Sequence, residues 1–166
     1  NTGGMGAYSP APVVTPDVHA RVMREVILPT INGMAADGHP FAGFLYAGLM
    51  IDSDGKARVV EFNARLGDPE AQVLLMLLKS DLYDLLMAAT DAHGPGVRDI
   101  ELHWDRRSAL GVVMASAGYP ASPRQGDSIA GIPAATEDMQ VFHAATTRRA
   151  DGALLTSGGR VLTVTA

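Results

Sequence analysis

Apolar residues recur every four positions between residues 18 and 26, which predicts one face of a helix. Thr15 and Pro16 stand just before this stretch, as an N-cap and a first helical residue commonly do. Pro29 should kink or split the helix, because proline lacks the amide proton and clashes with the preceding turn. We expect the helical pattern to end at Gly38, since glycine readily adopts the conformation that closes a helix.

Two strand-like runs follow, at 42–51 and 57–63, and the polar stretch between them has turn composition. Together they predict an antiparallel hairpin. Two more helices are then expected. The first begins at Asp68-Pro69, and the second runs from Ser80-Asp81 to Ala92 and ends at the Gly-rich stretch 93–96.

The pattern changes near residue 98, where short apolar runs alternate with turns rich in Gly, Pro and Asp. The runs are 108–115, 140–145, 153–156 and 160–165. This spacing predicts a small antiparallel β domain. The sequence therefore favours an α+β protein with one domain at 1–97 and a β-rich domain at 98–166.

Composition narrows the classes of function. The chain has 166 residues, a net charge of −5 and no cysteine, so disulfides and thiolate metal sites are excluded. Lys and Arg are scattered, which argues against nucleic acid or a membrane surface as a partner. Because the chain opens at Asn1 in the middle of a Gly-rich loop, we interpret it as a fragment of a longer protein.

The first candidate site is the end of the second hairpin strand, with Glu61, Asn63 and Arg65 at alternate positions. Alternate side chains on a strand share a face, so the three should project together if the strand extends to Arg65, while Phe62 points into the core. A carboxylate and an amide oxygen can coordinate Mg²⁺, and the arginine could hold a phosphate. The alternative is a solvated strand face with a Glu–Arg pair.

The second candidate is the glycine-rich opening of the chain. Its residues are Asn1, Thr2, Gly3, Gly4, Met5 and Gly6. Closely spaced glycines let backbone amides approach one ligand, typically a phosphate or carboxylate. The alternative is a loop that only turns the chain.

The third candidate is Gly67-Asp68-Pro69-Glu70. Asp68 could cap the helix that begins at Pro69, and it could also face the Glu61 side and hold a substrate amine. The two roles are compatible.

The motifs together resemble the glycinamide ribonucleotide synthetase family of ATP-grasp ligases. The resemblance rests on their order and spacing over essentially the whole chain. The segments that carry it are NTGGMGAYSP at 1–10, GFLYAGLMI at 43–51, VEFNARLGDPE at 60–70, LGVVM at 110–114, GYP at 118–120, VFHA at 141–144 and GGRVL at 158–162.

The resemblance implies a cytoplasmic enzyme of purine biosynthesis that uses ATP and Mg²⁺ or Mn²⁺ to join glycine to 5-phosphoribosylamine. Glu61 and Asn63 would be its metal ligands, Arg65 would lie beside the phosphates, and Asp68 would act on substrate. Residues 1–6 and Gly67 would line the glycine and phosphoribosylamine sites. The products would be glycinamide ribonucleotide, ADP and phosphate, formed through a glycyl phosphate.

Two departures qualify the resemblance. Many ATP-grasp enzymes carry a metal-binding carboxylate on the facing strand, where Gly48, Leu49 and Met50 stand here. The N-terminal half that would complete the ATP site is also missing, so we expect the fragment alone to be inactive. The alternatives are another purine-pathway ATP-grasp ligase and a noncatalytic module that binds phosphorylated ligands.

Overall fold

The structure is a computed structural model that describes residues 2–91 and 96–166. It combines helices with antiparallel sheets, which confirms the predicted α+β class. The helices are α1 (Pro16–Val22), a π-helical turn (Met23–Ile27), α2 (Leu28–Ala36), α3 (Glu70–Leu77), α4 (Leu82–Thr90) and a 3₁₀ turn (Gly96–Asp99). The strands are β1 (Gly6–Ser9), β2 (Tyr46–Ile51), β3 (Ala57–Asn63), β4 (Ala109–Ala115), β5 (Ser128–Ile129), β6 (Gln140–His143), β7 (Thr146–Arg148), β8 (Leu154–Thr156) and β9 (Arg160–Thr165).

The first helical region begins and ends as its sequence predicts. The Thr15 hydroxyl accepts a hydrogen bond from the Val18 amide at 3.3 Å, so Thr15 is the N-cap. The interruption expected from Pro29 takes the form of the π-helical turn, in which the Leu28 amide donates to the carbonyl of Met23, five residues back. At the other end Gly38 has a φ of +82°, and the His39 amide closes the helix on Met34.

The hairpin of β2 and β3 forms, although β2 begins at Tyr46 rather than at residue 42. Asp52 organises the turn, because its carboxylate accepts from the Asp54 and Lys56 amides at 3.1 and 2.8 Å. The Arg21 side chain of α1 donates to the Gly55 carbonyl at 2.8 Å. The turn is therefore held by its own backbone and by α1.

The predicted start of α3 is one residue too early. The helix begins at Glu70, and the Asp68–Pro69 peptide before it is cis. The Asp68 carboxylate accepts from the side chains of Gln72 and Arg160 instead of capping the helix backbone at Pro69. In α4 the predicted Asp81 cap is confirmed by its bond from the Tyr83 amide at 2.8 Å. Its last helical residue is Thr90, two residues before the predicted last residue Ala92, and residues 92–95 of the predicted end lie outside the described residues.

The main sheet has the strand order β1-β4-β9-β6, with every neighbouring pair antiparallel. The Gly/Pro-rich composition of residues 1–14 predicts a loop, but Gly6–Ser9 form strand β1. It forms by pairing with β4, more than a hundred residues away, with Gly6 opposite Val112. Helix α3 packs on one face of this sheet, where Val73, Leu77 and Ala109 form the core.

The chain divides into two compact units. The sheet unit comprises the described residues up to Ser9 with Asp68–Leu77 and Asp105–Ala166, and the hairpin unit comprises those of Pro10–Gly67 and Leu78–Trp104. These units do not follow the division at 97/98, because β1 and α3 come from the first part and pack with strands of the second. The division of this chain into domains at 97/98 stays a prediction.

None of the helices in the described residues is long and apolar enough to cross a membrane.

Candidate functional site

The hairpin unit carries the predicted metal ligands on one face of its two strands. Glu61 lies opposite Gly48, and Asn63 lies opposite Tyr46. Directly opposed residues of an antiparallel pair share a face, so the carboxylate and the amide project to the same side. Within residues 2–91 and 96–166, neither the Glu61 nor the Asn63 side chain has a hydrogen-bond or ion-pair partner.

Gly48 makes room for this arrangement. A Cβ atom at Gly48 would lie 3.0 Å from Cγ of Glu61, so a larger residue there would crowd the carboxylate. The register shift comes after this pair, where Leu49 lies opposite Val59 and Val60 is the additional residue on β3. The bulge therefore leaves the Glu61–Asn63 segment in regular register.

The donor set suits a hard cation that takes few ligands from protein. Glu61 and Asn63 offer a carboxylate and an amide oxygen, and β2 contributes no carboxylate. Across 2–91 and 96–166 there is no group of three or more acidic, His or Cys residues that could hold a metal ion. Mg²⁺ fits such a site, because it commonly combines one or two protein oxygens with water and substrate phosphates.

Two expectations for this strand are wrong. Strand β3 ends at Asn63, so Arg65 does not share its face, and the Arg65 guanidinium donates to the Leu66 carbonyl at 3.0 Å. The alternative of a Glu61–Arg65 ion pair is therefore not formed. Phe62 is 43% exposed and does not enter a core.

The sheet unit carries the glycine-rich loop. Asn1 lies outside the described residues, and Thr2 is exposed. The Met5 carbonyl accepts from the Val113 amide at 3.0 Å, which ties the end of the loop to β4. A Cβ atom at Gly4 would lie 2.7 Å from Pro69 Cδ and 3.0 Å from the Asp68 carbonyl oxygen. The loop thus packs directly on the Asp68–Pro69 segment, and glycine permits that approach.

Asp68 is half-exposed and has a partner at each carboxylate oxygen. Gln72 donates to Oδ1 at 2.9 Å and Arg160 donates to Oδ2 at 2.9 Å. A carboxylate can accept about four hydrogen bonds, so this one retains capacity for a ligand donor. Gly67, the residue before it, is buried and belongs to the hairpin unit.

Sequence reasoning missed two residues that hold the loop. Arg160, the first residue of β9, donates to the carbonyls of Gly4 and Asp68 at 3.0 and 2.9 Å. The Tyr119 hydroxyl accepts from the Gly3 amide at 2.9 Å. Both residues stand in segments that carry the family resemblance, but no local pattern indicates that they meet a loop at the other end of the chain.

The candidate residues are thus divided between the two units. Glu61, Asn63 and Arg65 belong to the hairpin unit, while Asp68 and the glycine-rich loop belong to the sheet unit. Asp68 and Glu61 belong to different units, and that Asp68 faces Glu61 stays a prediction.

The hairpin unit also has a cavity of about 370 Å³ that the sequence did not predict. Among the described residues, those that line it are glycine or apolar and include Phe44, Leu85, Leu86 and Val97. These side chains offer no charge to a phosphate, so they do not compete with the polar groups described above as a phosphate site.

Comparison with known proteins identifies the class and then the family. A model of the ATP-grasp (A) domain of phosphoribosylglycinamide synthetase matches residues 1–71, and a model of the C domain of the same enzyme matches 109–166. The chain thus combines part of an ATP-grasp domain with an attached C domain. It belongs to the phosphoribosylglycinamide synthetase family, which confirms the resemblance seen in the motifs.

Relatives named phosphoribosylamine–glycine ligase are similar over the whole chain. The protein of Ralstonia nicotianae is 63% identical over 99% of this chain, and that of Vibrio parahaemolyticus is 54% identical over 100%. The crystal structure of the Thermotoga maritima ligase superposes with a TM-score of 0.76 at 34% identity and covers 100% of this chain. The chain spans only 38% of the length of those two relatives and 39% of the Thermotoga chain.

Proposed function

We propose that this chain is part of an ATP-dependent ligase that joins glycine to 5-phosphoribosylamine and forms glycinamide ribonucleotide, ADP and phosphate. The observation that carries the proposal is the ordered match to two domains of one synthetase. The relatives that match it are named for this reaction. Purine biosynthesis in the cytoplasm is the setting that this family membership implies, and it is part of the proposal.

The reaction proceeds through two substitutions. A carboxylate oxygen of glycine attacks the γ-phosphorus of ATP, and the bond to ADP breaks, which leaves glycyl phosphate. The amine nitrogen of 5-phosphoribosylamine then attacks the carbonyl carbon, phosphate leaves and the nitrogen loses a proton. Both steps develop negative charge on phosphate oxygens, so fixed cations and backbone donors are the groups that such a site needs.

In this proposal Glu61 and Asn63 would hold a Mg²⁺ or Mn²⁺ ion on the face of the hairpin beside Gly48, where the ion would supply positive charge for the transferred phosphate. Arg65 contributes a second positive charge beside the phosphates by exchanging its bond to the Leu66 carbonyl for a phosphate oxygen. Asp68 and the loop at 2–6 orient the glycine and the amine.

The test uses full-length ligase that carries this sequence. We expect glycine-dependent and phosphoribosylamine-dependent ADP release. We also expect Glu61→Gln to lower kcat by about a hundredfold or more, because an amide replaces the one charged ligand of the metal. Glu101→Gln, an exposed glutamate of the hairpin unit, is the matched control and should retain wild-type turnover.

The metal assignment is contradicted if Glu61→Gln keeps near-normal turnover and the same Mg²⁺ dependence. The function itself is contradicted if wild-type protein releases no ADP with these substrates. We expect the 166-residue chain alone to release no ADP, since it spans only 38% of the length of a relative that is named for this reaction.

A further inference from the structure

The Arg160 side chain joins three separate parts of the sheet unit. It lies at the start of β9 and donates to the Gly4 carbonyl, the Asp68 carbonyl and the Asp68 carboxylate at 3.0, 2.9 and 2.9 Å. Gly4 is 156 residues away in sequence and Asp68 is 92. One guanidinium thereby fixes the distance between the loop and the carboxylate.

Other arginines of this unit make local pairs of a different kind. Arg149 bonds to Asp151 two residues on, and Arg124 bonds to Asp127 three residues on. Those pairs are exposed and stabilise their own turns. The Arg160 side chain is only 26% exposed and bonds to two backbone carbonyls as well as a carboxylate. A planar guanidinium presents several donors in fixed directions, which suits a bridge between backbone segments.

The glycine-rich loop is also held at Gly3, the residue before Gly4. The Gly3 amide donates to the Tyr119 hydroxyl, and a Cβ atom at Gly3 would lie 2.8 Å from Cζ of Arg160. The Tyr119 ring is itself placed by Gly159, where a Cβ atom would come within 2.3 Å of it. Gly3 and Gly4 are therefore held by two side chains of the C-terminal part of the chain, Tyr119 and Arg160.

We propose that Arg160, assisted by Tyr119, is a positioning residue that sets the geometry of the glycine-rich loop and of Asp68 for substrate binding. The inference rests on the proposed function, which assigns glycine and phosphoribosylamine to these two elements. Arg160 acts through the groups it holds and not through contact with the reacting atoms. Misplacing binding groups by about 1 Å costs up to a hundredfold in rate, so the expected kinetic effect is large for a residue outside the reaction.

The test compares three variants of the full-length ligase. Arg160→Lys keeps the charge but cannot reproduce three bonds from a planar fork, and Tyr119→Phe removes only the acceptor for the Gly3 amide. We expect kcat/KM for glycine or phosphoribosylamine to fall about tenfold to a hundredfold in Arg160→Lys, mainly through KM, and less in Tyr119→Phe. Arg149→Lys is the control and should match wild type, because its pair with Asp151 is local.

A double-mutant cycle with Asp68→Asn separates positioning from general stability. If Arg160 acts through Asp68, the double variant should lose much less than the product of the single losses. Losses that multiply to within about twofold would mean that the two residues act independently and would overturn the proposal. Melting temperature is measured in parallel, and a kinetic loss that simply follows a fall in stability would also overturn it.

The outcomes distinguish this inference from the function on which it rests. If the wild-type protein does not ligate glycine, the proposed function is contradicted. If the wild type is active and KM is unchanged in Arg160→Lys and in Tyr119→Phe, only the positioning role is contradicted. If Arg160→Lys does not fold, Tyr119→Phe decides alone, and an unchanged KM in that variant removes the proposal.

Discussion

The sheet unit and the hairpin unit differ in how they bury apolar surface. In the described residues, the buried hydrophobic side chains of the hairpin unit are Val18 and Val26. The sheet unit buries a longer set: Val73, Leu77, Ala109, Val113, Val161 and Leu162. The sheet unit therefore has a core of its own, in which Val73 and Leu77 of α3 pack with Ala109 on one face of the sheet. Leu162, which pairs with Met114, is buried on the other face.

The two units also differ in where their exposed apolar side chains lie. The hairpin exposes Met50, Val59, Val60 and Phe62, which occupy both faces of its strands. The sheet unit also exposes an apolar row on β4, but the opposite face of that strand is covered by α3. Elements that make few buried contacts open at low free energy, so the two units should differ in local stability.

The largest effect we expect is on the core of the sheet unit. Leu77 is 6% exposed, and Leu77→Ala should lower the free energy of opening of β4 and β9 by about 2–5 kcal/mol. Leu86 on α4 is 44% exposed, so Leu86→Ala should cost on the order of 1 kcal/mol. Hydrogen–deuterium exchange of the individual segments, read by mass spectrometry, measures both.

The same experiment reports on the wild-type protein. Amides of β4 and β9 should exchange more slowly than those of β2 and β3. Equal protection in the two units, or equal losses in the two leucine variants, would contradict the contrast drawn above.

Helix caps and strand bounds were predictable from the sequence where a few neighbouring residues determine the local structure. The Thr15 cap, the Gly38 termination, the Asp81 cap and the bounds of β3 and β9 were all correct. Each depends on hydrogen bonding or alternation within a short stretch of chain. The shared face of Glu61 and Asn63 belongs to the same group, because strand periodicity alone places them together.

Contacts between distant segments were not predictable in this way. Strand β1 exists because β4 pairs with it, and the partners of Arg160 lie 92 and 156 residues away. Arg65 was misplaced because β3 ends two residues before it, and no residue type in the sequence marks that end. The fold class and the shared face of Glu61 and Asn63 were therefore accessible from sequence, while the support of the loop required the structure.

Substitutions at two glycines should change the free energy of unfolding by smaller amounts than Leu77→Ala and in opposite directions. At Gly159 a Cβ atom would lie 2.3 Å from the Tyr119 ring, so Gly159→Ala should overpack the sheet unit and cost about 1–3 kcal/mol. At Gly33 in α2 nothing lies within 4 Å of a Cβ atom, and Gly33→Ala should stabilise the helix by up to about 1 kcal/mol. Chemical denaturation of each variant against wild type gives the sign and the size. The packing contrast is refuted if both substitutions change stability in the same direction.

The smallest effect that we expect concerns the turn at Asp52, which hydrogen bonds within the hairpin unit stabilise. The hydrogen bond from the Lys56 amide, aided by the Asp54 amide, lowers the pKa of the Asp52 carboxyl below its ordinary value. A group with a lowered folded pKa stabilises the fold above its unfolded pKa of about 3.9, and the contribution is lost as pH falls through the folded value. The Lys56 amide resonance, followed by NMR, should therefore titrate with a midpoint below the ordinary pKa of aspartate. Asp52→Asn keeps an oxygen acceptor without the charge, so that titration should disappear in the variant. A midpoint at or above the ordinary value in wild type would show that these amides do not hold the carboxylate, and the turn would then depend on its backbone-to-backbone hydrogen bonds and on Arg21.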